Sequence, residues 1–443
     1  MKRRDFLKIS TATGLMSVGG VRLTQAQSNF SGPYWLLVEA RGGWDPTSFC
    51  DPKGRGLGPN GDINNYDQDD IDTVGNFAYA PPPDTFVGNS DLFSNQEFFT
   101  NHFQRLVVVN GIDMGTNSHQ IGRTAAWTGT RAGSHPSIGA MIAGTVAPEF
   151  ALPYVTNSSS ESGATKGLVP TNTVSGGSLN VIREVAFPNR SNVFNTSAAR
   201  QYFADGVYSQ VNAASAARRQ RQIATQRLAR IRGAQVVHDG VRNIDATAIG
   251  MFVDQLSNSS TPNALVQSRR DAERLFDQSQ TAFAAFESGA AVAAQIDLGS
   301  FDTHDDHDAR HYPKLMDYFA AVDNIIQDAI DRGLGNNLIV VMGSDFARTN
   351  RYNNDNGKDH WAHGSMMVWG APAFINGNRV VGATDDEQRS INLNPNTLAT
   401  DPNGSLELTM EYVHQALRRV AGVDQSSNAS EFPFAEQVLP IFA

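Results

Sequence analysis

A single cysteine, Cys50, occurs in 443 residues. It excludes an internal disulfide and a thiolate metal cluster, so a fold exposed to an oxidising compartment must rest on its packed core. Positive charge is also scarce. Lys and Arg number 35 against 45 Asp and Glu, a net charge of −10, which excludes a broad attraction to nucleic acid or anionic lipid. No segment supplies the roughly 20 apolar residues that span a bilayer, and no internal repeat is present.

The N-terminus reads "MKRRDFLKISTATGLMSVGGVRLTQAQ". Arg3-Arg4 precede Phe6-Leu7-Lys8, a short and mildly apolar stretch follows, and small residues close it at Ala26. This is the layout of a twin-arginine leader over residues 1–26, read by the twin-arginine export machinery, with the protein released to a periplasmic or extracellular space. Removing the leader's five basic residues and one acid leaves 30 basic against 44 acidic residues, a charge of −14.

Four apolar runs read as buried strands: "YWLLV" at 34–38, "RLVVVNGID" at 105–113, "AAVAAQIDLGS" at 290–300 and "NNLIVVMGSD" at 336–345. Helical segments separate them, including 312–333, where Leu315, Phe319, Val322 and Ile326 keep helical spacing. Continuous Val/Ile/Leu strands alternating with helices predict an α/β fold with a mainly parallel sheet covered on both faces. Residues 27–150 and 290–443 form two parts of one domain, and 151–289 read as an inserted loop and helical subdomain. Within that insertion "RRQRQIATQRLARIR" at 218–232 reads as a solvated basic helix face.

In an open parallel sheet ligands bind beyond the carboxyl ends of the strands. Acids and imidazoles gather there in this chain: Asp45 after the first strand, Ser118 and His119 after the second, "SFDTHDDHDARH" at 300–311 after the third, Asp345 after the fourth, then His360 and His363 in "GKDHWAHG". Asp302 and His304 alternate after a strand and can turn to one point. His307 and His311 are four apart on one helix face, a spacing that suits a metal, with His311 read as structural. The remaining aspartates suit a helix start, with Asp308 on the helix face. Ser118 reads either as a helix N-cap or as a nucleophile at a helix N-terminus.

The motifs "GGWD", "FDTH", "SDFART" and "GKDHW", in that order, resemble the exported bacterial family known as domain of unknown function number fifteen-oh-one, itself similar to the alkaline phosphatase and sulfatase superfamily. The resemblance covers the first strand and most of 290–440. It implies an alkaline-phosphatase-like α/β/α sandwich with a helical insertion. Asp45, Asp302, His304, Asp345 and His360 would stand at positions that bind divalent metal in catalytic relatives. Phe346 departs from the histidine common after this aspartate in active phosphatases, and Cys50-Asp51-Pro52 departs from the Cys-x-Pro-x-Arg signature of sulfatases.

The expectation is an exported metal-dependent hydrolase acting on a small-molecule or polymeric anionic ester. Its metal would be held among Asp45, Asp302, His304, His307, Asp345, His360 and His363. Ser118 or a metal-activated water would attack, and His119 or Arg348 would steady the anionic group. Mixed carboxylate and imidazole ligands suit zinc, manganese or iron better than calcium. The alternative is a non-catalytic, metal-stabilised exported binding or assembly protein of the same fold.

Overall fold

Seven consecutive residues from Tyr34 to Ala40 are buried without alternation, as happens when both faces of a strand are covered. In the computed structural model, which describes residues 30–58, 61–89, 92–148, 150, 153–156, 163–169, 263–287 and 291–443, these residues form β1. Residues 1–26, expected to form a leader, and 218–232, expected to present a basic helix face, lie outside the described residues.

The other strands are β2 (Asp72–Val74), β3 (Phe77–Tyr79), β4 (Leu106–Asp113), β5 (Tyr154–Thr156), β6 (Ala293–Leu298), β7 (Leu338–Ser344), β8 (Ala347–Arg348), β9 (His360–Trp361), β10 (His363–Gly370) and β11 (Arg379–Val381). Seven of them form one sheet in the order β11-β4-β10-β7-β1-β6-β5. β10 runs antiparallel to β4 and β7, and every other pairing in the sheet is parallel. The mainly parallel sheet is therefore as the sequence predicts. β10 is an addition, because "HGSMMVWG" carries no clear strand signature until its neighbours are known.

Described helices cover both faces: α1 (Asn95–His102), α2 (His119–Thr128), α3 (Ile138–Val146), α4 (Asn263–Glu287), α5 (His307–Asp331), α6 (Met410–Val420) and α7 (Ser427–Glu431). α1 and α4 pack on α5, with α4 also on β6; α3, α6 and α7 pack together on the other face, with α2 against β7 and α6. The result is an α/β/α sandwich. α1 starts on a reciprocal capping box between Ser94 and Glu97. α5 is the expected amphipathic helix, longer at its start, with Leu315, Phe319, Val322 and Ile326 all buried.

Of the segment 151–289, both described ends enter the domain. β5 pairs with β6, and Tyr154 donates its hydroxyl to Gln295 Oε1 at 2.6 Å. α4 buries Leu275, Phe276, Phe283 and Phe286, the last stacked on Tyr34 at 4.8 Å. No described helix is long and apolar enough to cross a membrane.

Topology delivers the site. β1, β4, β6 and β7 end at one edge of the sheet, and β10, running the other way, begins there. His360, just before β10, thus reaches the edge where the parallel strands deliver their loops. The two-residue ladder of β8 and β9 sets Arg348 opposite His360.

Candidate metal centre

After β1 the chain turns through Gly42 and Gly43, both at positive φ (117° and 83°). A Cβ on Gly42 would stand 2.6 Å from the backbone nitrogen of Asp302, and one on Gly43 would strike the Phe346 ring at 2.8 Å. Only glycine lets this loop lie against the loops after β6 and β7. Through that gap Arg348, fully buried, reaches inward. Its Nε donates to Gly43 O at 2.9 Å, Nη1 to Lys358 O at 3.1 Å, and Nη2 to Gly42 O and to Asp302 Oδ1, the latter at 2.7 Å.

Asp302 is the meeting point. Its Oδ1 lies 3.0 Å from His304 Nε2 and 3.1 Å from His360 Nε2, and those two nitrogens are 3.0 Å apart. Its Oδ2 lies 3.3 Å from His119 Nε2, a buried nitrogen without a hydrogen-bond partner. Burial pushes the Asp302 carboxyl up, but the hydrogen bond and charge of Arg348, with His360 and His119, outweigh it and hold the group at about 2.

Each imidazole is held from behind. His119 Nδ1 lies 2.7 Å from Asp345 Oδ2, His304 Nδ1 2.7 Å from Asp359 Oδ1, and His360 Nδ1 2.7 Å from the carbonyl of Asn117. Those oxygens accept, and where Nδ1 supplies the proton a neutral ring turns a bare Nε2 towards Asp302. The Asp345 hydrogen bond raises the His119 pKa, whereas burial lowers that of His360.

Three bare nitrogens and a carboxylate at such spacing repel unless a cation or extra proton lies between them. His119, Asp302 and His360 each offer a ligand atom within 4.8 Å of the others. Ligands bound at about 2.0–2.2 Å stand roughly 3 Å apart, so the separations of 3.0 and 3.1 Å fit a first-row divalent ion. Outer-shell partners on Nδ1 are the usual means of fixing a metal-binding tautomer. The residues fit the group.

The structure brings together Asp302, His304 and His360, each expected among the ligands, and adds His119, expected to steady an anion. Asp345 stands behind His119 and accepts from the backbone of Gly42 at 3.2 Å, so it orients the His119 ring. Arg348, expected to meet substrate, is instead buried and spends its N–H groups on two loops and Asp302; it positions.

Asp45 and His307 do not join the group. Asp45, fully buried, caps the short 3-10 turn Pro46–Ser48 and pairs with Lys358 Nζ at 2.6 Å. His307 Nε2 lies 3.2 Å from the same carboxylate. Thr303 Oγ1 contacts His307 Nδ1 at 2.8 Å and His311 Nδ1 at 3.2 Å, and His311 Nε2 accepts from the backbone of Asp45 at 3.0 Å. This second cluster lies beneath the first, because Thr303 and Lys358 point the opposite way from their neighbours Asp302, His304 and His360.

His363 is apart as well, with its Nδ1 2.7 Å from Ser390 Oγ. Asp308 accepts from Tyr352 and Asn65 rather than lying idle on a helix face. Ser118 occupies the N-cap position of α2 and is exposed, yet its side chain makes no capping bond. Sequence reasoning missed Lys358 and Asp359. Their signal was adjacency to His360 in "GKDHW", which marks a segment but not which way each side chain turns.

Fold and site together define an α/β/α protein with an Asp-His centre at the carboxyl edge of a mainly parallel sheet. The chain belongs to the family described as "Protein of unknown function (DUF1501)", whose model matches residues 37–422. None of the curated proteins matches the sequence.

Among solved structures it is similar to the alkaline phosphatase from the Antarctic bacterium TAB5, at 9% identity and a TM-score of 0.36 over 89% of this chain and 100% of that one. A putative sulfatase from Bacteroides thetaiotaomicron matches at 10% identity and a TM-score of 0.33 over 93% and 77%. Ps i-CgsB in complex with k-i-k-neocarrahexaose matches at 8% and 0.36 over 90% and 74%.

Proposed function

We propose that the protein is a divalent-metal-dependent hydrolase of anionic esters, exported by the twin-arginine machinery to a periplasmic or extracellular space. One observation carries the metal: three histidines, each with Nδ1 tied to an oxygen, turn Nε2 towards one carboxylate. Asp302, His119, His304 and His360 would hold the ion, with zinc, manganese or iron the candidates for such a donor set. A bound divalent ion would polarise the ester oxygen and offset the negative charge that develops on it.

The chain's own groups do the rest. Arg348 keeps Asp302 ionised and fixed, while Asp345, Asp359 and the Asn117 carbonyl hold the three Nδ1 atoms and so aim each Nε2 at the centre. Ser118, exposed at the start of α2, is the candidate nucleophile, where backbone N–H groups of the first turn favour an attached anion.

A second reading has its own support. Phe346 lies with its ring 4.8 Å from that of His119 and 4.6 Å from that of His360, an apolar wall where a further ligand would be expected, and this favours a metal-stabilised binding or assembly protein.

Elemental analysis of the purified protein, with turnover of p-nitrophenyl phosphate and bis(p-nitrophenyl) phosphate, separates the two. Asp302→Asn and His360→Ala should each strip the metal, and the double variant should lose little more than either, because the ligands act as one unit. Ser118→Ala should lower kcat while leaving metal content unchanged. Full occupancy in both single ligand variants would sink the centre; metal without turnover would leave the binding reading.

A further inference from the structure

The centre forms one end of a cavity of about 580 Å³, within the range of small-molecule sites. His119, Asp302 and Asp345 line that end, and three arginines from different elements line the other parts: Arg41 after β1, Arg123 on α2 and Arg274 on α4. Arg123 is anchored by the buried Glu39, Nε to Oε1 at 2.7 Å, and Arg41 by Asp297. Arg274 is exposed.

The carboxylates of the same lining are each engaged: Asp302 with Arg348 and imidazoles, Asp345 with His119, and Asp271 with Lys314. Three guanidinium groups and three carboxylates therefore balance across the lining, with Arg41 and Arg123 themselves paired to Asp297 and Glu39. A divalent ion at the centre would leave the cavity net positive by its own charge. Ser300, which also lines the cavity, is held at φ 78°, the left-handed region where a non-glycine residue persists only if its surroundings dictate it.

We propose that the arginine wall is a second oxyanion subsite, so that the substrate is an ester with two acidic groups. One would react at the centre. The other, a carboxylate, sulfate or phosphate elsewhere on the same molecule, is held by Arg41 and Arg274, while Arg123, whose fork is taken by Glu39, adds only its charge to the wall. This rests on the hydrolase reading, and the ion makes anion capture at the wall depend on metal loading.

Calorimetric titration of the metal-loaded protein with methylphosphonate and with 3-phosphonopropionate tests it. Methylphosphonate should bind, and the added carboxylate should tighten binding about tenfold or more, as one charge-assisted pair would. Arg274→Gln, an exposed change, and Arg41→Gln should together erase that gain while leaving methylphosphonate affinity within about twofold. Equal binding of the two probes by the unaltered protein, or a gain that survives both substitutions, would overturn the subsite while the centre stands. If metal-loaded protein fails to bind methylphosphonate, the hydrolase reading falls and the subsite with it.

Discussion

The ammonium of Lys358 lies 2.6 Å from Asp45 Oδ2 and 2.8 Å from Asn64 Oδ1, in a site closed to solvent. Burial pushes the Asp45 carboxyl up, but the charge of Lys358 first, then the hydrogen bond of His307, carry it well below the usual carboxylate range. A buried pair of this kind adds modest net stability, yet removing one partner strands the other charge. Lys358→Met should therefore cost about 3–5 kcal/mol in urea unfolding, and Asp45→Asn in the same chain should recover part of it. Metal affinity should fall as well, because the stranded Asp45 charge lies under the two loops, joined by the Lys358 backbone N–H to Thr303 O at 3.0 Å, that carry Asp302 and His360. Unchanged stability in Lys358→Met would mean that Asp45 is neutral.

Among the elements, α4 is the one whose sequence says least about its place. It falls inside a stretch that reads as an insertion, yet it covers β6 and α5 and buries Leu275, Phe276, Phe283 and Phe286. Replacing 170–262 by a short flexible linker should leave a soluble protein that still binds metal, with altered access to the cavity. Extending the deletion through 288 should abolish folding, since each large apolar side chain lost from a core costs about 2–5 kcal/mol. Soluble expression and metal content of the two truncations decide this. A folded product of the longer deletion would remove α4 from the core.

For the whole molecule, burial of neutral histidines sets the response to pH. Burial lowers His414 to about 3 and also lowers His307 and His311, against about 6.5 in an unfolded chain. Below that value the unfolded chain takes up protons that the folded one refuses, so stability is complete above about pH 6.5 and is lost as pH falls towards 3. His414 by itself should contribute a loss of about 2 kcal/mol between pH 8 and pH 5. Urea unfolding at the two values measures the total, and His414→Gln should shrink the difference by about that amount. The depressed carboxylates Asp45 and Asp302 act in the same direction at more acid pH, below about 4. Equal stability at pH 5 and pH 8 would contradict the burial of all three rings as neutral species.

Local pattern alone determined the four parallel strands, because a run such as Leu36-Leu37-Val38 buries both faces only inside a covered sheet. It also put Asp302 and His304 beyond a strand end, since "FDTH" follows an apolar run, and His360 in the segment after the fourth strand. It did not determine which neighbours share a pocket. Thr303 turns down between two residues that turn up, and Lys358 turns down two places before His360, so one short segment feeds two separate clusters. Asp45 was drawn into the buried cluster by a lysine 313 positions away, and His360 was aimed by the carbonyl of Asn117, 243 positions away. Periodicity and spacing report only what lies within a few residues along the chain. Side-chain direction at a loop, and which ring nitrogen keeps its proton, depend on partners that chain folding alone brings within hydrogen-bond reach.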